Sequence, residues 1–294
     1  MSDPRPPTID PVAAARWQQR PQPASAWLHE EVARRMEQRL DWIVRQPRSW
    51  LHWEPVRGGL QAQALLAQRY PEARCEVRAL VPQEQALAAR AAARPWWQSL
   101  KALFRPAPVS PPELLWANMS LHMSADPQAL IGQWHEALAV DGFLMFSCLG
   151  PDTLRELRAL YAALGWPAPA HEYTDMHDWG DMLVSAGFAE PVMDMERIEL
   201  SFETPQRLLQ ELRELGRNLH PARFPGLRGR AWQDRLHEAL GQLADAEGRL
   251  RLSFEIIYGH AFKPQRRLTV APETRLSLDE MRDSLRRAGA RPSA

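Results

Sequence analysis

The chain has 294 residues, enough for one large domain with a full core, and its 36 Lys plus Arg balance 36 Asp plus Glu. With no net charge it has no global field to draw it to nucleic acid or to an anionic membrane, so a modest-sized ligand or another protein is the expected partner. No run approaches the ~18 to 20 apolar residues of a spanning helix, and Cys75 and Cys148 show neither metal-ligand spacing nor a disulfide framework, which places the chain in the reducing cytoplasm.

Residues 1–23 are proline-rich without an apolar run and read as a disordered arm, neither signal peptide nor anchor. Trp27, Val32, Met36, Leu40 and Ile43 recur at helical spacing within 24–43, and Pro47 ends that helix. Ser49 to Trp53 is a short buried strand, Gly58-Gly59 a turn and Leu60 to Tyr70 a helix. Cys75 to Val81 and Gln83 to Arg94 repeat the strand-helix alternation. The stretch 95–112, with Trp96-Trp97 and five prolines, is an irregular loop with at most one helical turn.

Leu114 to Ala117 is the next strand, followed by a helix over Pro127 to Leu138 and a strand over Phe143 to Cys148. Helices follow at 154–164 and 174–186, the second closed by Gly187, and Pro191 to Phe202 alternates as a strand. Residues 203–249 carry amphipathic helices at Gln206–Leu215 and Ala231–Leu243 and read as a helical lid inserted before the last strand, Leu250 to Phe262. The chain from 266 to 294 is a polar tail with a marginal helix at 276–287. One domain therefore spans 24–265, of α/β class, and large aromatics such as the twelve tryptophans belong mainly to its core.

In such sheets ligands lie beyond the carboxyl ends of the strands, which singles out Asn118, Met119 and Ser147. Asn118 also suits a cap or turn, and His122 suits either the pocket wall or a satisfied core position. Arg213 and Arg217 at the end of a lid helix match a carboxylate bidentately, unless they form a solvated face. Tyr258 and His260 share one face of the last strand. Arg223, Arg228, Arg230 and Arg235 make the lid locally basic, as docking to an acidic protein would require.

The segment Leu114-Leu-Trp-Ala-Asn-Met-Ser-Leu-His122, the passage Gly187-Phe-Ala-Glu-Pro-Val-Met-Asp194, the helix end Leu212-Arg-Glu-Leu-Gly216 and the strand end Tyr258-Gly-His-Ala-Phe262 resemble the class I S-adenosylmethionine-dependent methyltransferases. Within them the chain looks most like the BioC group, the malonyl-acyl-carrier-protein O-methyltransferases of biotin synthesis. The resemblance covers roughly Trp27 to Pro264. It implies a doubly wound, mostly parallel, seven-stranded Rossmann-like sheet, with S-adenosylmethionine as cofactor and an acyl-carrier-protein thioester as substrate. The cofactor-binding residues it implies are Gly58, Gly59, Asn118, Met119 and His122. Arg213, Tyr258 and His260 are the catalytic candidates.

The family's first strand ends in an acid and runs into a glycine-rich loop, and its second ends in an acid that takes the ribose hydroxyls, since a carboxylate can accept from a diol. Here His52 holds the first acidic position, Glu54 and Val56 stand where glycine is usual, and the second strand ends at Ala79. These departures motivate an alternative, a non-catalytic relative that binds a carrier protein or another partner. The two readings separate on whether the crevice by Gly58-Gly59 is open or filled by Trp53, Glu54 and Arg57.

Overall fold

Every residue of Leu114–Ala117 and of Phe143–Leu149 is buried, the pattern of strands covered on both faces. In this computed structural model, which describes residues 9–93 and 110–265, they are the inner strands β3 and β4 of one six-stranded sheet. The others are β1 (Ser49–Trp53), β2 (Arg74–Arg78), β5 (Ala189–Phe202) and β6 (Leu250–Phe262), and the order is β2-β1-β3-β4-β6-β5. The first four run parallel, and β6 is antiparallel to both β4 and β5. The expected count of seven strands is thus six among the described residues. The chain divides into units 1–264 and 265–294. Most of the loop expected over 95–112, and the helix expected over 276–287, lie outside the described residues.

Among the described residues ten α-helices accompany the sheet: α1 (Pro11–Gln18), α2 (Trp27–Arg39), α3 (Pro55–Gly58), α4 (Ala62–Arg69), α5 (Pro82–Ala92), α6 (Pro127–Ala137), α7 (Arg155–Ala163), α8 (Met176–Ser185), α9 (Pro205–Leu215) and α10 (Arg230–Gly241). Because strand side chains alternate, Trp50, Leu114, Trp116, Phe143 and Met145 join one core with Val32 and Met36 of α2. Leu51, Trp53, Leu115, Leu144 and Phe146 join the other with Ile131 and Trp134 of α6 and Trp179 of α8. Trp50, Trp116, Trp134 and Trp179 are among the largest fully buried side chains, so these indoles fill core.

The arm expected to be disordered over 1–23 needs correcting where it is described. Pro11 opens α1, and the Asp10 carboxylate accepts from the backbone N–H of Val12 and Ala13 at 2.9 and 3.2 Å, a side-chain cap with proline at the first helical position. Asp10 N–H donates to Leu219 O at 2.9 Å, the Asp10 carboxylate pairs with Arg223 at 2.6 Å, and Ile9, Ala14 and Leu219 are buried together. The hydrogen bond, the ion pair and the burial hold α1 against the segment after α9.

Gly259 in β6 faces the Phe146 ring so closely that an added methyl would overlap it. Gly259→Ala is expected to cost about 1–3 kcal/mol through overpacking, read as a lowered denaturant midpoint with unchanged slope in urea unfolding.

Candidate functional site

β1 lies between β2 and β3, so consecutive strands leave it toward opposite edges of the sheet. At such a switch point the loops diverge and open a crevice over the strand ends. A cavity of about 370 Å³ occupies that place, within the size range of small-molecule sites. Its walls include Trp53 at the end of β1, Glu54 and Arg57 just after it, Leu80 after β2, and Met119 and Ser120 after β3. Trp17, Gln22, Ala24 and His29 close it from the side of α1 and α2, and Glu214 and Leu215 from the end of α9. The crevice is therefore open, although Trp53, Glu54 and Arg57 form part of its wall.

The floor is locked by Asn118. Its amide nitrogen donates to Gly58 O and, at 2.8 Å, to His29 O, while its Oδ1 accepts from Ser147 Oγ at 2.5 Å. Gly58 is required for this approach, because a Cβ there would lie 2.5 Å from Asn118 O. Asn118 and Ser147 are fully buried and hydrogen-bonded to each other. They hold the turn after β1 against β3 and β4.

Arg57 ties the amino-terminal segment down. Its Nε and Nη2 donate to Glu84 Oε2 and Oε1, both at 3.0 Å, a bidentate pair with a carboxylate only 1% exposed. Nη2 also donates to the carbonyls of Gln18 at 3.0 Å and Arg20 at 2.8 Å, and the guanidinium lies 5.5 Å from the Trp17 ring. Glu84 Oε1 in turn accepts from Gln22 N–H at 2.8 Å. Residues 17–22 thus form a strap beside the cavity. His29 Nδ1 donates to Arg57 O at 2.6 Å, and burial lowers the His29 pKa to about 4, so the ring is neutral.

Glu54 is a constrained wall residue. Its backbone is left-handed, with φ 49° and ψ 53°, a conformation that costs an L-residue roughly 1–2 kcal/mol. Its Oε1 accepts from Leu80 N–H at 2.7 Å, which carries a carboxylate from β1 to the end of β2. Oε2 is buried without a hydrogen-bond partner, 3.5 Å from Arg57 Nε. Burial pushes the Glu54 pKa up to about 7, against the Leu80 N–H and the Arg57 charge, and the Glu84 charge adds to the rise. Ser120 Oγ, on another wall of the cavity, is also buried without a partner.

Of the residues expected at the site, Met119 lines the cavity, whereas Gly58, Gly59, Asn118 and His122 lie outside its lining. Gly59, at φ 114°, packs against His29 and Ala33 of α2. His122 is 5% exposed, stands edge-on to Tyr173, and its carbonyl lies 2.9 Å from His171 Nε2. Burial, with the positive charge that His171 and His29 could carry, holds its pKa well below the usual histidine value. Tyr258 and His260 pair with Ser147 and Met145 in mid-sheet, and the Tyr258 hydroxyl donates to Glu196 at 2.5 Å. Arg213 is exposed. His52 is buried at 2.9 Å from Gln63 and, like His29, is neutral, its pKa lowered to about 4 by burial. The sequence does not single out the strap, Arg57, His29 or Ser120 as site residues. The Asp10-Pro11 cap and a glutamate at a glycine position are the signals it offers.

No protein-family model matches the chain. It is 37% identical over 274 residues to a malonyl-[acyl-carrier protein] O-methyltransferase from Laribacter hongkongensis, covering 88% of each chain. It is 38% identical to the protein of that name from Gallionella capsiferriformans, over 83% of this chain and 87% of that one. It is 34% identical to the one from a Methylovorus species, over 84% and 86% respectively.

Replacing Arg57 leaves the buried Glu84 carboxylate without its cation and the strap without its anchor. Arg57→Ala is expected to cost about 3–5 kcal/mol and to speed limited proteolysis by trypsin after Arg16, at the edge of the strap; unchanged cleavage there would show that the strap is held by other contacts. The Glu54 pKa lies at about 7 in the folded chain against an ordinary 4.5. A raised carboxyl pKa gives stability that is present below pH ~4.5 and is lost as the pH rises to ~7, about 3 kcal/mol in all. Urea unfolding at pH 5 and pH 8 should show this loss in the wild type and not in Glu54→Gln.

Proposed function

The chain belongs to the malonyl-[acyl-carrier protein] O-methyltransferase family, and from that premise we propose that it transfers a methyl group from S-adenosylmethionine to the free carboxylate of a malonyl thioester on acyl carrier protein, within biotin synthesis. The observation that carries this reading is the open cavity of about 370 Å³ at the switch point of the sheet. Its residues fit such a cofactor. Leu80, Met119, Ala129 and Leu130 offer apolar walls for a flat base, and Glu54 Oε2 and Ser120 Oγ are buried polar atoms that a ligand would satisfy.

When bound, S-adenosylmethionine supplies an electrophilic methyl group on a sulfonium. The malonyl carboxylate is already ionised at neutral pH, so the work left to the chain is positioning rather than acid or base catalysis. The strap under Arg57 shields the cavity from water on the side of α1. The insertion over 203–249 serves as the lid, since Glu214 and Leu215 at the end of α9 reach the cavity. We assign the orientation of the substrate carboxylate to Arg217, whose guanidinium lies 5.5 Å from the ring of the cavity residue Trp17, with Arg213 one helical turn away. On the lid, Arg228 stacks on Phe224 and Trp232 at 4.2 Å each and Arg235 lies 5.8 Å from Trp166, a basic face suited to an acidic carrier protein. We place the enzyme in the cytoplasm, in keeping with a chain that carries only two cysteines. Among the described residues no helix is long and apolar enough to cross a membrane.

The alternative, a partner-binding module without chemistry, takes its motive from His52, Glu54, Val56 and Ala79 at the motif positions; a crevice filled by Trp53, Glu54 and Arg57 would favour it, and the open cavity there speaks for the methyltransferase instead. Calorimetry with S-adenosylmethionine, together with transfer of a labelled methyl group to malonyl-acyl carrier protein, tests the proposal. Binding and transfer are both expected, and Arg217→Ala should raise KM for the malonyl substrate at least ~10-fold while leaving cofactor affinity within about twofold. Absence of both binding and transfer at millimolar cofactor would overturn it.

A further inference from the structure

The end of β2 carries no acid, since Ala79 stands there, yet a carboxylate occupies the place. Glu54 leaves the end of β1 in a left-handed turn, crosses to β2 and accepts Leu80 N–H at 2.7 Å through Oε1. The residue is 4% exposed, lines the cavity, and its Oε2 has no hydrogen-bond partner. Arg57 Nε lies 3.5 Å away but is committed to Glu84 at 3.0 Å. Leaving a buried carboxylate oxygen unsatisfied costs free energy that an occupied site would return. Backbone strain held at a cavity wall points the same way.

An ionised carboxylate only accepts, so the missing partners are donors. A vicinal diol presents two hydroxyls spaced to meet one carboxylate oxygen or a carboxylate edge. Accordingly we propose that Glu54 is the acceptor for the cis-diol of the cofactor's ribose, supplied from β1 in place of the acid that β2 lacks. This rests on the reading of the chain as an S-adenosylmethionine-dependent methyltransferase. It turns the glutamate at a glycine position from a lost motif into a relocated one.

The charge state of Glu54 gives a second readout. The groups that act on it are Arg57 from α3, Glu84 from α5 and the backbone N–H of Leu80, and nearby His29 of α2 is neutral above pH ~5. Hydroxyl donors favour the ionised form, and Glu54 is protonated below about pH 7 in the empty site. Diol binding should therefore tighten as the pH rises from 6 to 8.

The experiment is calorimetry of S-adenosylhomocysteine and its 2′-deoxy and 3′-deoxy analogues against the wild type and Glu54→Gln, at pH 6 and pH 8. Removing a hydroxyl is expected to weaken wild-type binding ~10- to 100-fold at pH 8, as loss of a charged hydrogen bond does. In Glu54→Gln the same removal should cost threefold or less, and the pH dependence should vanish. If the wild type binds S-adenosylhomocysteine but is indifferent to the hydroxyls, or if both proteins lose equally, the role of Glu54 is overturned while the methyltransferase reading stands. If the wild type does not bind S-adenosylhomocysteine at either pH, the reading itself falls and takes the proposal with it. The wild-type analogue and pH series need no variant, so the role of Glu54 can be tested even if Glu54→Gln misfolds.

Discussion

The guanidinium of Arg57 is the point on which the cavity depends. It sits on a single helical turn after β1, yet it joins that turn to Glu84 on α5 and to the carbonyls of residues 17–22. A buried ion pair is weak evidence for net stability, because desolvating two charges offsets most of their attraction. Its contribution here is geometric. A planar fork with five donors fixes a carboxylate and a stretch of backbone in one arrangement, and that arrangement sets the wall and the cover of the crevice together.

Beneath it, Asn118 does for the floor what Arg57 does for the cover. The two bonds from its amide nitrogen end on the carbonyls of His29 and Gly58, and its oxygen ends on Ser147. Three segments distant in sequence, α2, the turn after β1 and the end of β4, are thereby held to one side chain. The strap and the end of α9 line the remaining sides of the cavity.

The alternating strands and helices are legible in the sequence because β3 and β4 are apolar on both faces and because Asp126-Pro127 caps the helix between them. Composition conceals α1: the prolines around it suggest disorder, while the cap at Asp10 and the buried contact with Leu219 decide otherwise. Long-range pairs such as Arg57 with Glu84 leave no periodic trace, so the strap is invisible at that level. Asn118 reads there as either a ligand contact or a cap, and its actual partners are two backbone carbonyls and a serine. Glu54 stands out only as a missing glycine, since sequence position shows neither the left-handed turn nor the reach to Leu80.

The strap's anchors have an evolutionary corollary. Arg57 and Glu84 meet it through main-chain groups, the carbonyls of Gln18 and Arg20 and the amide of Gln22, and any amino acid at 18 or 20 offers the same oxygen. Drift in side-chain identity there is nearly free, whereas an insertion or deletion of one residue would move every anchor out of reach. Related chains should therefore keep the spacing between these positions while their letters diverge.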